Sequence, residues 1–298
     1  MASHHMTSSA SPLPVTTTRS VLHAPDGTAL AATAWLPVHP RAVVLLAHGY
    51  AEHSGRYGHV STALVNRGYA VFTHDHRGHG RSSGPRALIR RFDAYVDDLH
   101  LLTDHARQTL TGLPHILIGH SMGGLIAIRY ALRHGDDLAA LVTSGVALIF
   151  TDDVAAPLRW LGGLIAPIAP TLPVRPRVRN VLSTDPTVER DFTDDPLCYS
   201  GPVKAAIGHA MSTAATDTRA RLGELALPLL AMHGAADRLT NPGGSRLLHT
   251  HAASPDKTIQ LWPGMKHELF QERDRAEVIA SMLNWLDARS VPDGPSTR

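Results

Sequence analysis

"HILIGHSMGGLIAIRY", residues 115–130, decides the fold. Its first third is a short apolar run, the length of a strand buried on both faces. Its last third is apolar with helical spacing. Between them Gly119, His120, Ser121, Met122 and Gly123 form a G-x-S-x-G pattern. Between a strand and a helix, that pattern is a sharp turn that lifts the serine Oγ above the sheet. Side chains at the two glycine positions would collide as strand and helix close on each other. Ser121 is therefore the candidate nucleophile. The start of the helix supplies free N–H groups and the positive end of a dipole for a developing oxyanion.

Working outward, strand-like and helix-like segments alternate. "RSVLHAP" and "ALAATAWLP" flank Pro25-Asp26-Gly27 as a hairpin. "RAVVLLAHG", "YAVFTHD", "HILIG" and "LAALVTSG" read as buried strands, separated by segments of helical period. In "RFDAYVDDLHLLTDHARQTL", Phe92, Tyr95, Val96, Leu99, Leu102 and Ala106 share one face. This rhythm predicts an α/β fold: a mostly parallel sheet with helices on both faces. The rhythm breaks near residue 148 and resumes near 214. The expected organisation is a tail over 1–17, a core of 18–147 and 214–290, an inserted helical cap over 148–213 and a tail over 291–298.

Composition excludes several classes. A formal net charge of +2 on 298 residues argues against binding nucleic acid through its phosphates. Cys198 is the single cysteine, so no intrachain disulfide can form, which fits a reducing, cytoplasmic setting. The start of the chain shows no signal-peptide pattern. Val154 to Val174 is apolar enough to suggest a membrane span. Arg159 and prolines at 157, 167, 170 and 173 break it instead into short pieces.

A serine nucleophile needs a histidine base held by a carboxylate, in the chain order Ser, Asp, His on this fold. Asp237 follows the strand "LPLLAMHG", and His267 follows "KTIQLWPG". Both fall at the carboxyl ends of late strands, where the partners must be. Asp217 and Asp256 do not follow a strand end. His249 and His251 lie in a helical segment, and His233 sits before the glycine that ends a strand. The oxyanion donors expected are the N–H groups of Met122 and of Tyr50, which follows His48-Gly49. Glu52, His53 and Arg56 follow closely. They either order the loop or form a solvated polar turn, and they are also candidates for contact with substrate. His74, His76 and His79 invite a metal site, but no further ligand is evident. A loop tied by Asp75 and Arg77 is preferred.

"AHGYAEHSGRY", "HDHRGHGRSSG", "GHSMGG", "HGAADRLT" and "GMKHELF" together resemble the monoacylglycerol lipase, or lysophospholipase, branch of the α/β-hydrolases. The resemblance spans about residues 20 to 288 and includes "DPLCYSG" in the cap. It implies ester hydrolysis of monoacylglycerols through an acyl-enzyme, with no cofactor and no metal. It assigns Ser121, Asp237 and His267 as the triad and Tyr50 and Met122 as the oxyanion hole. A broader carboxylesterase is the alternative, followed by an acyltransferase or a non-catalytic binding module. Tyr50-Ala51 departs from the family pattern of a small residue followed by glycine, and would narrow the pocket. Leu158, Trp160, Leu161, Leu164, Ile165 and Ile168 are expected to line an acyl channel and to permit transient contact with a membrane or micelle.

Overall fold

The computed structural model describes residues 15–150 and 163–289. Eight strands form one sheet in the order β1-β2-β4-β3-β5-β6-β9-β10. These are β1 (Val15–His23), β2 (Ala29–Pro37), β3 (Ala42–Ala47), β4 (Tyr69–His74), β5 (His115–His120), β6 (Ala140–Ser144), β9 (Leu229–Gly234) and β10 (Lys257–Trp262). The expected hairpin is present as antiparallel β1 and β2, and β2 pairs antiparallel with β4. From β4 to β10 every pairing is parallel. Residues 15–17 were expected in a loose tail. They belong to β1, Val15 facing Pro37 and Thr17 facing Trp35, because β-branched residues suit an edge ladder.

The central strands are apolar throughout because both sheet faces are covered. Val43, Leu45, Phe72 and Leu117 join one cluster with α2 (Asp93–Thr109) and α3 (Met122–His134). Val44, Leu46, Val71 and Ile118 join another with α1 (Gly58–Val65). Adjacent residues of one strand thus feed opposite cores, as a period of two requires. The face predicted for α2 is the buried one, Phe92 through Ala106 included.

Between β6 and β9 the chain leaves the sheet. Residues 163–168 are helical. β7 (Pro173–Arg175) and β8 (Val203–Lys204) pair by themselves, and α4 (Pro186–Asp194) lies between them. α5 (Ala205–Ala220) then packs on the first core through Ile207 and Met211. Residue 213, where the cap was expected to end, falls inside this helix. α6 (Gly243–His251) follows β9, and α7 (Arg275–Asp287) closes the second core through Val278, Met282 and Leu286. Among the described residues no helix is long and apolar enough to cross a membrane.

Candidate active site

Ser121 sits between β5 and α3 at φ 53° and ψ −116°. A left-handed φ on a residue with a side chain costs on the order of 1–3 kcal/mol, so the surrounding structure must hold it. Its N–H donates to Ser144 O at 2.9 Å, and its carbonyl accepts from Ala147 N at 3.2 Å and Leu125 N at 3.2 Å. The flanking glycines are sterically required. A Cβ on Gly119 would stand 2.3 Å from Gly123 O, and one on Gly123 would stand 2.2 Å from Ala47 O. Among the described residues Ser121 Oγ makes no hydrogen bond.

Asp237 lies in the turn after β9, and His267 in the loop after β10. A Cβ on Gly234 would meet Lys266 O at 1.9 Å, so glycine lets these loops touch. Main-chain bonds from Ala235 N to Trp262 O and Ala236 N to Met265 O fix the approach. His267 Nδ1 stands 2.7 Å from Asp237 Oδ2. The other carboxylate oxygen accepts from Leu239 N at 2.7 Å and Thr240 N at 3.1 Å. Burial opposes the Asp237 charge, but His267, His233 and their hydrogen bonds outweigh it and hold the carboxyl far below its ordinary range. Burial also opposes charge on His267. The Asp237 carboxylate, then Glu268 and Glu52, reverse this and raise its pKa above 6.5.

The His267 ring packs on His120, centroids 4.8 Å apart, which sets it beside the residue preceding Ser121. His120 is itself neutral: burial, then repulsion from His267, lower its pKa to about 3. Tyr50 follows β3 and Met122 opens α3. Neither backbone N–H has a partner among the described residues. The Tyr50 ring lies against His79 and Tyr199, with centroids 5.8 Å and 6.5 Å away.

Glu52 and Arg56 are bonded within their own loop and to the loop that carries His267. Glu52 Oε1 accepts from Gly49 N and from Tyr57 Oη, both at 2.6 Å, while Oε2 takes Arg56 at 2.5 Å. Arg56 then binds Glu268 with two nitrogens, at 2.8 Å and 2.6 Å. Glu268 adjoins His267, so this network ties the loop after β3 to the histidine loop. His53 reaches into the cap segment, Nε2 to Asp195 Oδ2 at 2.8 Å. Further main-chain bonds join both loops to that segment: Tyr199 N to Ala51 O at 2.7 Å and Glu268 N to Leu182 O at 2.7 Å.

Leu158, Trp160 and Leu161 lie outside the described residues. Leu164 and Ile168 are 50% and 86% exposed, so they face solvent rather than an internal channel. Ile165 is partly buried.

The "HDHRGHG" loop is tied by Asp75 and Arg77. Asp75 accepts from Ser54 N, Ser54 Oγ and Arg81 N. Arg77 binds Asp98 through two nitrogens at 2.6 Å and also Asp26. Among the described residues the one group with three metal-type donors within 4.8 Å of each other is His53, Asp195 and Cys198. Its tautomer suits a metal poorly. His53 Nδ1 accepts from Gly55 N at 3.1 Å, so the ring proton is on Nε2, facing Asp195. A metal on Nε2 would push that proton toward the Gly55 N–H.

His233 is the residue that sequence reasoning set aside and the structure puts at the site, with Nε2 3.1 Å from Asp237 Oδ2. Its spacing of four before Asp237, across a turn, was the available signal.

A strained serine between strand and helix, and an Asp–His pair on later strand ends, define an α/β-hydrolase. The sequence profile of the serine aminopeptidase S33 family matches residues 38–274, and the chain belongs to that family, in its monoacylglycerol lipase branch. It is 38% identical to a monoacylglycerol lipase of Mycolicibacterium smegmatis, over 85% of this chain and 90% of that one. It is 32% identical to the monoglyceride lipase of Homo sapiens, over 91% of each. The monoacylglycerol lipase of Paleococcus ferrophilus superposes with a TM-score of 0.78 at 29% identity, covering 88% of this chain and 99% of that one. The protein is a serine ester hydrolase.

Proposed function

We propose that Ser121, Asp237 and His267 are a catalytic triad that hydrolyses monoacylglycerols. The observation that carries this is the 2.7 Å Asp237–His267 bond beside a serine held at positive φ. Aspartate fixes the proton on Nδ1, leaving Nε2 to take the serine proton as Oγ attacks the ester carbonyl. The Ser–His hydrogen bond closes when substrate enters, as is common for catalytic contacts. The oxyanion rests on Tyr50 N–H and Met122 N–H. His267 then protonates the departing glycerol, and the same residue activates water to release the fatty acid.

The segment between β6 and α5, described over residues 163–204, acts as the cap over this site. The solvent-facing Leu164, Ile168, Leu172 and Val174 form an apolar edge suited to a lipid surface. From Gly163 to Asn180 the chain carries three arginines and no acid, and although Arg177 is paired with Glu189 at 2.7 Å, the segment's basic excess favours an anionic one. The enzyme acts as a cytoplasmic protein that visits membranes peripherally.

The test is hydrolysis across mono-, di- and triacylglycerols and p-nitrophenyl esters of graded length. Cleavage of monoacylglycerols alone among the glycerides supports the assignment. A rate maximum at C2 to C4 with no glyceride cleavage would replace it with a short-chain carboxylesterase.

A further inference from the structure

Two histidines share one oxygen of Asp237. His267 Nδ1 lies 2.7 Å from Oδ2, and His233 Nε2 lies 3.1 Å from the same atom. His233 is wholly buried at the end of β9. Its other nitrogen stands 2.7 Å from Ser245 Oγ on α6, and Ser245 is wholly buried too. Because Nε2 faces a carboxylate, with Thr240 O also 3.3 Å away, it must carry the ring proton. Nδ1 then accepts, and the Ser245 hydroxyl donates. Serine thus fixes the tautomer of His233 just as aspartate fixes that of His267.

We propose that His233 is a positioning residue, locked by Ser245, that holds the Asp237 carboxylate in place and draws off part of its charge. The inference rests on the triad reading. It has a consequence that mere packing lacks. Withdrawing the His233 donor leaves more negative charge on the oxygen that faces His267, so the imidazolium is stabilised further. The other charged or ring groups acting on His267 are Glu268, Glu52 and the tilted His120 ring, and none of them bonds to His233, whereas Thr240 Oγ1 lies 3.2 Å from His267 Nδ1 and 3.3 Å from His233 Nε2. Thr240 Oγ1, 2.8 Å from Oδ2, also lies 3.0 Å from Gly145 O and can give its proton to either.

The experiment measures kcat, KM and the pH profile of kcat/KM for His233→Leu, His233→Gln and Ser245→Ala, with circular dichroism as the fold control. His233→Leu is expected to lower kcat about ten- to a hundredfold, the effect of losing one hydrogen bond to a charged group, with KM little changed. Its acid limb is expected to move to higher pH. His233→Gln, whose amide nitrogen reaches the same position, restores most of the rate and the limb. Ser245→Ala shifts both in the direction of His233→Leu, by less. Wild-type kcat in folded His233→Leu overturns the proposal. So does a loss that glutamine does not repair while the acid limb stays fixed. If His233→Leu does not fold, an unmoved acid limb in Ser245→Ala overturns it. Ser121→Ala, assayed beside these, separates the two readings. Activity retained there sinks the triad itself, whereas an inactive Ser121→Ala with a flat His233 series sinks only the role of His233.

Discussion

Asp237 Oδ2 and His267 Nδ1 stand 2.7 Å apart although 30 residues separate them in the chain. They meet because β9 and β10 are parallel neighbours, so both of their exit loops open at the same edge of the sheet. Ser121 leaves β5 at that same edge.

Ser121→Ala is expected to fold normally and to lose at least about 10⁴-fold in kcat, because no nucleophile remains. Asp237→Asn is expected to lose about as much, since an amide can hold the wrong imidazole tautomer. Steady-state kinetics on a monoacylglycerol, with melting curves for both variants, decide this.

Gly123→Ala is expected to abolish activity through the backbone. The added carbon would stand 2.2 Å from Ala47 O and 2.4 Å from His48 O, on the strand end that leads to Tyr50, the proposed oxyanion donor. Poor yield of folded protein, or folded protein with no burst of acyl-enzyme, is the expected result. A fully active variant would contradict the described turn.

Arg56→Met is expected to destabilise the protein. It strands the buried carboxylates of Glu52 and Glu268, and breaking a buried ion pair costs about 3–5 kcal/mol. Thermal denaturation should show a fall of about 2–4 °C per kcal/mol, together with reduced kcat, because the network joins both catalytic loops.

Acid should inactivate and destabilise the enzyme by separate routes. Activity needs neutral His267, whose pKa is raised, so kcat/KM climbs with pH through a value above 6.5. Stability depends on His48, His74, His76, His79 and His120, all buried and all with lowered pKa, chiefly through desolvation, His79 to about 4 and His120 to about 3. Below the unfolded value of about 6.5 the unfolded chain binds protons that the folded one refuses. Stability therefore falls as pH drops, by up to about 1.4 kcal/mol per pH unit for each such histidine. Asp237 adds a loss at lower pH, because its depressed carboxyl stabilises the fold fully above the unfolded value of about 3.9 and progressively less below it. Denaturant titrations between pH 7 and pH 4 measure the slope.

Ile168→Asp is expected to weaken binding to anionic vesicles while leaving hydrolysis of a soluble p-nitrophenyl ester unchanged, since the side chain is 86% exposed. Equal vesicle binding by both proteins, measured by sedimentation, would remove the membrane edge from the functional reading.

The sequence by itself determined the alternation of strands and helices, the turn at Ser121 and the strand-end positions of Asp237 and His267. Those features are local: an apolar period, a glycine pair and a residue just past a run of strand. What only the tertiary structure decided is which polar groups spend their hydrogen bonds on one another. Glu52, His53 and Arg56 stand close to Tyr50 in the chain, and there they read equally as loop supports or as a solvated polar turn. The partners of Arg56 and His53, Glu268 and Asp195, lie more than 140 residues away. His233 reads as a strand residue of no consequence until the fold brings it and His267 to the same oxygen of Asp237. Local pattern follows from backbone geometry, which a short window contains. The pairing of buried charges follows from desolvation, which forces each to find a partner wherever the folded chain happens to supply one.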